Sequence, residues 1–241
     1  MNDYIPSLAI LTGGIELVAA VYFTLLFKDK KPGVKGMILL LFFLSGYQLL
    51  EALNCMGLGN KLLVRLAFAD ITWLPAIGVY TAYKLNPVKS KVTQNVSRVF
   101  MLSAAFFTAW FVLNPSTAVL KSCQSFYATY GNSFPIYTYY GVYYQLGMLL
   151  MVIIGIRAMI QIKDARDRSV VADFIIGSIL FIIPSLGVTA VFKHLQGSMP
   201  SVMCHIAIFF TIFLIKGLIK EKTYQGLSLK DLNWDFKNIW S

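Results

Sequence analysis

Polar punctuation divides the chain into seven long apolar blocks: Ser7 to Phe27, Gly36 to Leu58, Leu62 to Tyr83, Val99 to Asn114, Ile136 to Ile162, Ser169 to Phe192, and Met199 to Ile219. The fourth block either stops at Pro115 or runs on towards Leu120. A helix crossing a hydrocarbon core of about 30 Å needs roughly 20 mainly apolar residues, and most of the blocks reach that length. The pattern predicts an all-α integral membrane protein, a seven-transmembrane helix bundle formed by residues 1–222. Residues 223–241 are expected to form a cytoplasmic amphipathic tail. There Leu227, Leu229, Leu232, Trp234, Phe236, Ile239 and Trp240 stand among charges without clean helical periodicity, as an interfacial anchor or a partner-docking segment would.

Composition excludes a water-soluble domain: of 241 residues 57% are hydrophobic and only 13% charged, and the mean hydropathy is +0.67. The formal charge of +10 does not indicate a nucleic-acid partner, because the basic residues sit between apolar blocks instead of gathering on one solvated face. They act as topology signals. Lys28, Lys30, Lys31 and Lys35 follow the first block; Lys84, Lys89, Lys91 and Arg98 link the third and fourth; Arg157, Lys163, Arg166 and Arg168 surround the link between fifth and sixth. The alternate connections carry only Lys61, Lys121 and Lys193. The positive-inside rule then predicts an outside N-terminus and a cytoplasmic C-terminus, in agreement with Lys216, Lys220, Lys222, Lys230 and Lys237 near the end. The first basic residue, Lys28, comes after the first apolar block, so that block is expected to be a retained helix and not a secretory signal.

The one long outer connection, Pro115 to Pro135, contains Tyr127, Tyr130, Gly131 and Phe134 and is a candidate lid over the bundle mouth. The topology puts Cys55, Cys123 and Cys204 on or near the outer side. A disulfide between Cys55 and Cys123 and free buried thiols are both open there, with one thiol odd in either case.

Ionisable side chains inside a bilayer cost about 2.5–3.5 kcal/mol each on insertion scales, so each requires a partner, a cavity or a function. Glu16 lies in the middle of the first block. Glu51, Asp70 and His205 fall at similar depths, roughly 9–12 Å below the outer surface at the helical rise, where the fifth block carries Tyr140, Tyr143, Tyr144 and Gln145. Gln48 lies on the face of Glu51, and Arg65 is the nearby cation. Gln48, Glu51, Arg65, Asp70, Tyr140, Tyr144, Gln145 and His205 are therefore the candidate ligand-binding residues of an outward-facing pocket. The competing reading is a salt-bridge network of Glu51, Arg65 and Asp70 that fixes helix register, and both can hold together. Pro75 and Pro184 are expected to bend the third and sixth helices, and Gly13, Gly14, Gly46, Gly141 and Gly177 to let helices pack closely.

Several chemistries drop out. A retinal Schiff base on Lys216 is disfavoured because that lysine lies near the cytoplasmic end, where its stem snorkels to the interface. With only His194 and His205 and no paired ligand spacing, a metal site is not expected, and no nucleophile elbow, P-loop or dinucleotide glycine pattern occurs. No cofactor is expected, and no enzyme activity; an intramembrane enzyme ranks behind the other readings.

Leu50-Glu51-Ala52 followed by Lys61, Arg65 and Trp73-Leu74-Pro75, and then the aromatic run Tyr137 to Tyr144 with Arg157, Arg168, Gly177 and Ile183-Pro184-Ser185, resemble the N-terminal seven-transmembrane sensory region of bacterial histidine kinases and related signalling proteins. The two stretches span about half of the chain. The resemblance implies a cell membrane location, the bacterial inner membrane, and ligand sensing. Unlike that family's kinases, the sequence to Ser241 carries no phosphoacceptor helix, ATP-binding domain or cyclase domain. The expected function is a receptor-like sensor that binds a small molecule or lipid from outside and relays helix movement, through bends at Pro75 or Pro184, to a cytoplasmic signalling partner. The alternative is a small transporter or a membrane subunit of a larger complex. Membrane lipids are expected partners in either case.

Overall fold

The computed structural model describes residues 5–27, 31–114, 116–124, 127–132, 136–191 and 198–227. Seven helices are long and apolar enough to cross a membrane: α1 (Pro6–Leu26), α2 (Pro32–Leu58), α3 (Lys61–Leu85), α4 (Lys91–Leu113), α5 (Ile136–Gln161), α6 (Ala165–Val191) and α7 (Met199–Tyr224). The helical architecture expected from the apolar blocks is thus present, consistent with a multi-pass membrane protein. Most of the expected tail lies outside the described residues, as do Phe134, Lys193 and His194.

The main boundary difference is at α4, which begins eight residues before Val99. Its first two turns, Lys91 to Arg98, are polar and lack an apolar signal, but Ser90 caps them by accepting from the Val92 amide at 3.3 Å. Its end at Leu113 takes the shorter of the two expected courses, with the Asn114 amide donating to the Trp110 carbonyl. Lys89 closes the preceding helix: its ammonium donates to the carbonyls of Tyr83, Lys84 and Asn86 at 3.1, 3.0 and 2.6 Å, satisfying carbonyls that a C-terminus leaves open.

Helices α2 and α3 are the most enclosed. Helix α2 packs against α1, α3 and α7, while α3 packs against α2, α4 and α5; α6 lies between α5 and α7. Large exposed residues such as Val18, Leu102, Leu113 and Ile160 cover the outside. Such an apolar exterior suits lipid and not water.

The connection read as a lid is an antiparallel hairpin, β1 (Ala118–Cys123) and β2 (Ala128–Asn132), bulged between Leu120 and Ser122. It packs on α3. Tyr130 is buried, with its ring edge-on to Phe68 at 5.1 Å. A disulfide joins Cys55, in the π-helical last turn of α2 (Asn54–Leu58), to Cys123 at the end of β1, with Cα atoms 5.7 Å apart, while Cys204 is a buried free thiol. Of the two arrangements open from sequence, the structure has the bridge.

The opposite, basic end is tied by ion pairs. Lys31 reaches Glu221 at 2.9 Å and Asp167 at 3.7 Å; the bond to Glu221 is the main cause that raises the Lys31 pKa above its ordinary value. Lys216 and Lys220 of α7 meet Asp173 of α6 at 3.2 and 2.5 Å. Lys216 therefore has an acidic partner on the neighbouring helix.

Candidate functional site

Two neighbouring features occupy the half of the bundle nearest the hairpin: a buried polar seam between α1, α2 and α7, and an aromatic cleft between α3, α5, α6 and α7.

In the seam, Gln48 donates from Nε2 to both carboxyl oxygens of Glu16, at 3.2 and 3.0 Å, and to the Cys204 carbonyl at 3.4 Å. Thr12 donates to the Gln48 carbonyl oxygen, and Thr211 donates to Glu16 at 2.6 Å. The approach of α1 to α2 is close because Gly13 carries no side chain: a Cβ there would stand 3.3 Å from Gln48 and Leu49. Sequence reasoning assigned Gln48 to the neighbourhood of Glu51; its amide instead serves Glu16, one helix away. Thr12 and Thr211 carried no signal in the sequence, since isolated threonines in apolar blocks commonly bond their own helix backbone.

Glu51 lies one level nearer the hairpin, fully buried. It accepts from Ser201 at 2.7 Å, and the Ser201 hydroxyl in turn accepts from the Ala128 amide of β2 at 3.0 Å. The glutamate is thereby linked through α7 to the hairpin. Asp70 packs on the opposite face of α2, against Gly46, where a Cβ would come within 2.6 Å of its Oδ1. The Cys204 thiol lies within electrostatic reach of Glu51, Glu16 and Asp70. His205, the next residue, is half-buried.

Arg65 stands apart from this group. Its guanidinium donates to the carbonyls of Val112 on α4 at 2.9 Å and Lys61 at 3.1 Å. In place of the expected ion pair with Glu51 or Asp70, it pins α3 to α4: one to two helical turns above Asp70, the side chain points to a different neighbour.

The cleft has a volume of about 500 Å³. Tyr137, Tyr140, Tyr144 and Gln145 of α5 line it together with Ile71, Leu186, Met199 and Met203. Tyr140 is backed by Phe107 and Phe111 at ring separations of 5.4 and 5.0 Å. Gln145 makes a long contact, 3.7 Å, to the Met199 sulfur. Tyr144 is buried, and its hydroxyl has no hydrogen-bond partner among the described residues. Gly141 also lines the cleft, and a Cβ added there would meet nothing within 4 Å. Gly14 is likewise open, whereas Gly13, Gly46 and Gly177 do admit close neighbours.

The cleft wall includes the weak point of α3. Pro75 cannot donate to the Ile71 carbonyl, and the helix is interrupted at Thr72, between Lys61–Ile71 and Trp73–Leu85. Tyr143 donates its hydroxyl to the Thr72 carbonyl at 2.8 Å, and the Thr72 hydroxyl lies 3.4 Å from that of Tyr140. Tyrosines of α5 thus hold the discontinuity that proline creates. Pro184 lies within α6, with Ser185 beside it donating to the Phe181 carbonyl at 2.6 Å.

The structure therefore brings Tyr140, Tyr144 and Gln145 together on the cleft, places Gln48, Glu51 and Asp70 in the adjoining interior, and separates Arg65 from both. No group of three or more histidine, cysteine or acidic residues among the described residues is arranged to hold a metal ion. In comparisons with protein-family models, curated proteins and solved structures, nothing matches this chain.

Proposed function

We propose that the chain is a non-enzymatic, receptor-like membrane sensor that takes a small molecule or a lipid into the aromatic cleft and passes helix movement to a cytoplasmic partner. The hairpin end faces outside and the basic end the cytoplasm, the orientation favoured by the basic loops. The observation that carries the reading is the Tyr144 hydroxyl: it is buried on the wall of an apolar cavity with no partner among the described residues. A buried unsatisfied polar group costs about 1–3 kcal/mol, and an apolar cavity with a few such groups is the usual form of a ligand pocket. The resemblance to the sensory regions of bacterial histidine kinases points the same way.

The relay follows from the same wall. A ligand against Tyr140 and Tyr144 bears on the tyrosines that hold Thr72, and a change in those bonds alters the angle between the two parts of α3. Occupancy shifts that equilibrium only by the ligand's difference in affinity between the two states.

The test uses the protein in lipid nanodiscs with an uncharged diazirine-bearing fatty alcohol. Saturable labelling of the Tyr137 to Gln145 and Met199 to Met203 segments, weakened in Tyr144→Phe, supports the reading. Spin labels at Val88 and Ala165 then report whether the basic end moves. Labelling that is unsaturable and spread over the outer helix faces rejects the pocket.

Glu16 favours a second reading, a small transporter. Its carboxyl is fully buried and bonds to the neutral groups of Gln48 and Thr211, an environment suited to exchanging a proton. Flux of a substrate in proteoliposomes that depends on Glu16 distinguishes a carrier from a sensor, which binds without flux.

A further inference from the structure

The cleft combines two properties that together select a ligand by charge. Tyr137, Tyr140 and Tyr144 line it, and their rings are close to one another, Tyr140 being 6.2 Å from Tyr137 and 6.0 Å from Tyr144. Ring faces carry the negative part of the aromatic quadrupole and attract cations, with the greatest effect where water is excluded. Behind this wall, one residue before the lining Ile71, stands Asp70. Its Oδ2 is buried with no hydrogen-bond partner among the described residues, and none of the ion pairs recorded there involves it. Asp70 lies within electrostatic reach of Tyr144. Arg65, the cation nearest in sequence, is directed to the Val112 carbonyl.

From this juxtaposition of an aromatic box, an orphan phenol and a carboxyl lacking a cation, we propose that the ligand of the cleft is a hydrophobic organic cation of the quaternary or protonated amine class. The cation sits on the faces of Tyr140 and Tyr144, an acceptor on the ligand or a water carried with it takes the Tyr144 hydroxyl, and Asp70, which releases its proton to solvent as the cation enters, supplies the opposite charge through the protein interior. A low-dielectric surrounding lets that charge act without direct contact. An anion of the same shape meets repulsion from the ring faces and from Asp70. The inference rests on the pocket reading above and adds the charge of the ligand to it.

Tetraphenylphosphonium and tetraphenylborate, nearly identical in shape and opposite in charge, are the probes. Binding to the nanodisc-embedded protein is measured by equilibrium dialysis against empty nanodiscs, with competition against the uncharged diazirine alcohol. The expected result is saturable tetraphenylphosphonium binding that displaces the alcohol and weakens at least tenfold in Asp70→Asn, while tetraphenylborate fails to compete. Retained alcohol labelling in Asp70→Asn shows that the variant is folded. Equal competition by both ions, or cation affinity unchanged in Asp70→Asn, overturns the charge assignment and leaves the pocket standing. Failure of the alcohol itself to label the cleft overturns both.

Discussion

Gly141 and Gly147 lie on the same helix, six residues apart, and their surroundings predict opposite responses to the same substitution. At Gly141 a new side chain enters the cleft, since a Cβ meets nothing within 4 Å. At Gly147 a Cβ would stand 2.6 Å from the Pro75 Cβ and 2.7 Å from the Phe100 ring, so the helices must separate. Replacing a helical glycine with leucine recovers roughly 0.8 kcal/mol of backbone propensity, and overpacking a close contact costs about 1–3 kcal/mol. Gly141→Leu should therefore melt at the wild-type temperature or slightly above it. Gly147→Leu should be destabilised by up to about 2 kcal/mol net, or several degrees at roughly 2–4 °C per kcal/mol for a chain of this size. The leucine at 141 also occupies part of the cleft and should abolish saturable labelling by the diazirine alcohol. Thermal melting in one detergent, read by tryptophan fluorescence, and labelling in nanodiscs make the two measurements. Equal destabilisation by both changes would refute the open space at Gly141. A stable Gly141→Leu protein that still labels fully would show that the probe enters elsewhere.

The disulfide should leave only Cys204 as a free thiol, so that unfolded, unreduced protein takes up one alkylating group and reduced protein three. The chain-entropy relation for a separation of 68 residues gives about 4 kcal/mol, an upper bound here because membrane-anchored helices already confine the ends. Asp173→Asn should destabilise the protein by about 1.5–3 kcal/mol, the range for hydrogen bonds to a charged group, with Lys220→Met costing more than Lys216→Met because Lys216 is the more exposed partner. Calorimetric melting of the three variants checks this order. For Lys31, whose pKa is raised chiefly by its bond to Glu221, the stabilisation is fully present below the unfolded lysine pKa and disappears as pH rises through the folded one. Lys31→Met should thus narrow the difference between neutral and alkaline melting temperatures, measured across a pH series. Cysteines at Lys91 and Asp164 should resist an impermeant thiol reagent in intact cells while one at Ser116 reacts; Ser116 is exposed, whereas the adjacent Thr117 is buried. Reversed labelling rejects the proposed orientation.

The helices were readable because most of the hydrophobic runs are as long as a span, and length is a property of the sequence alone. The polar start of α4 and the hairpin were not: Lys91 to Arg98 lacks an apolar stripe, and Ala118 to Asn132 becomes sheet through pairing across a turn and packing of Tyr130 on Phe68. A fixed rise per residue put Glu51, Asp70 and His205 at similar depths in the sequence, and in the structure Glu51 and Asp70 both lie within electrostatic reach of Cys204, the residue before His205. Rotation about the axis did not. It decides that Gln48 bonds Glu16 across α1 and α2, that Arg65 turns to α4, and that Lys216 finds Asp173. Each of those partners comes from another helix, so no spacing within one block records the pairing.

The bond between Cys55 and Cys123 closes a ring of chain that contains all of α3 and α4 and the first strand of the hairpin. A protease that cuts the exposed connection between α3 and α4, at Pro87 or Val88, opens that ring without dividing the molecule. The two fragments remain one covalent species and separate only when a reductant is added, so damage at the basic face is retained by a bridge at the far end of the bundle. For the proposed sensor this has a practical result: α3 stays tethered to α5, α6 and α7, which form the rest of the cleft, even when the link between α3 and α4 has been severed.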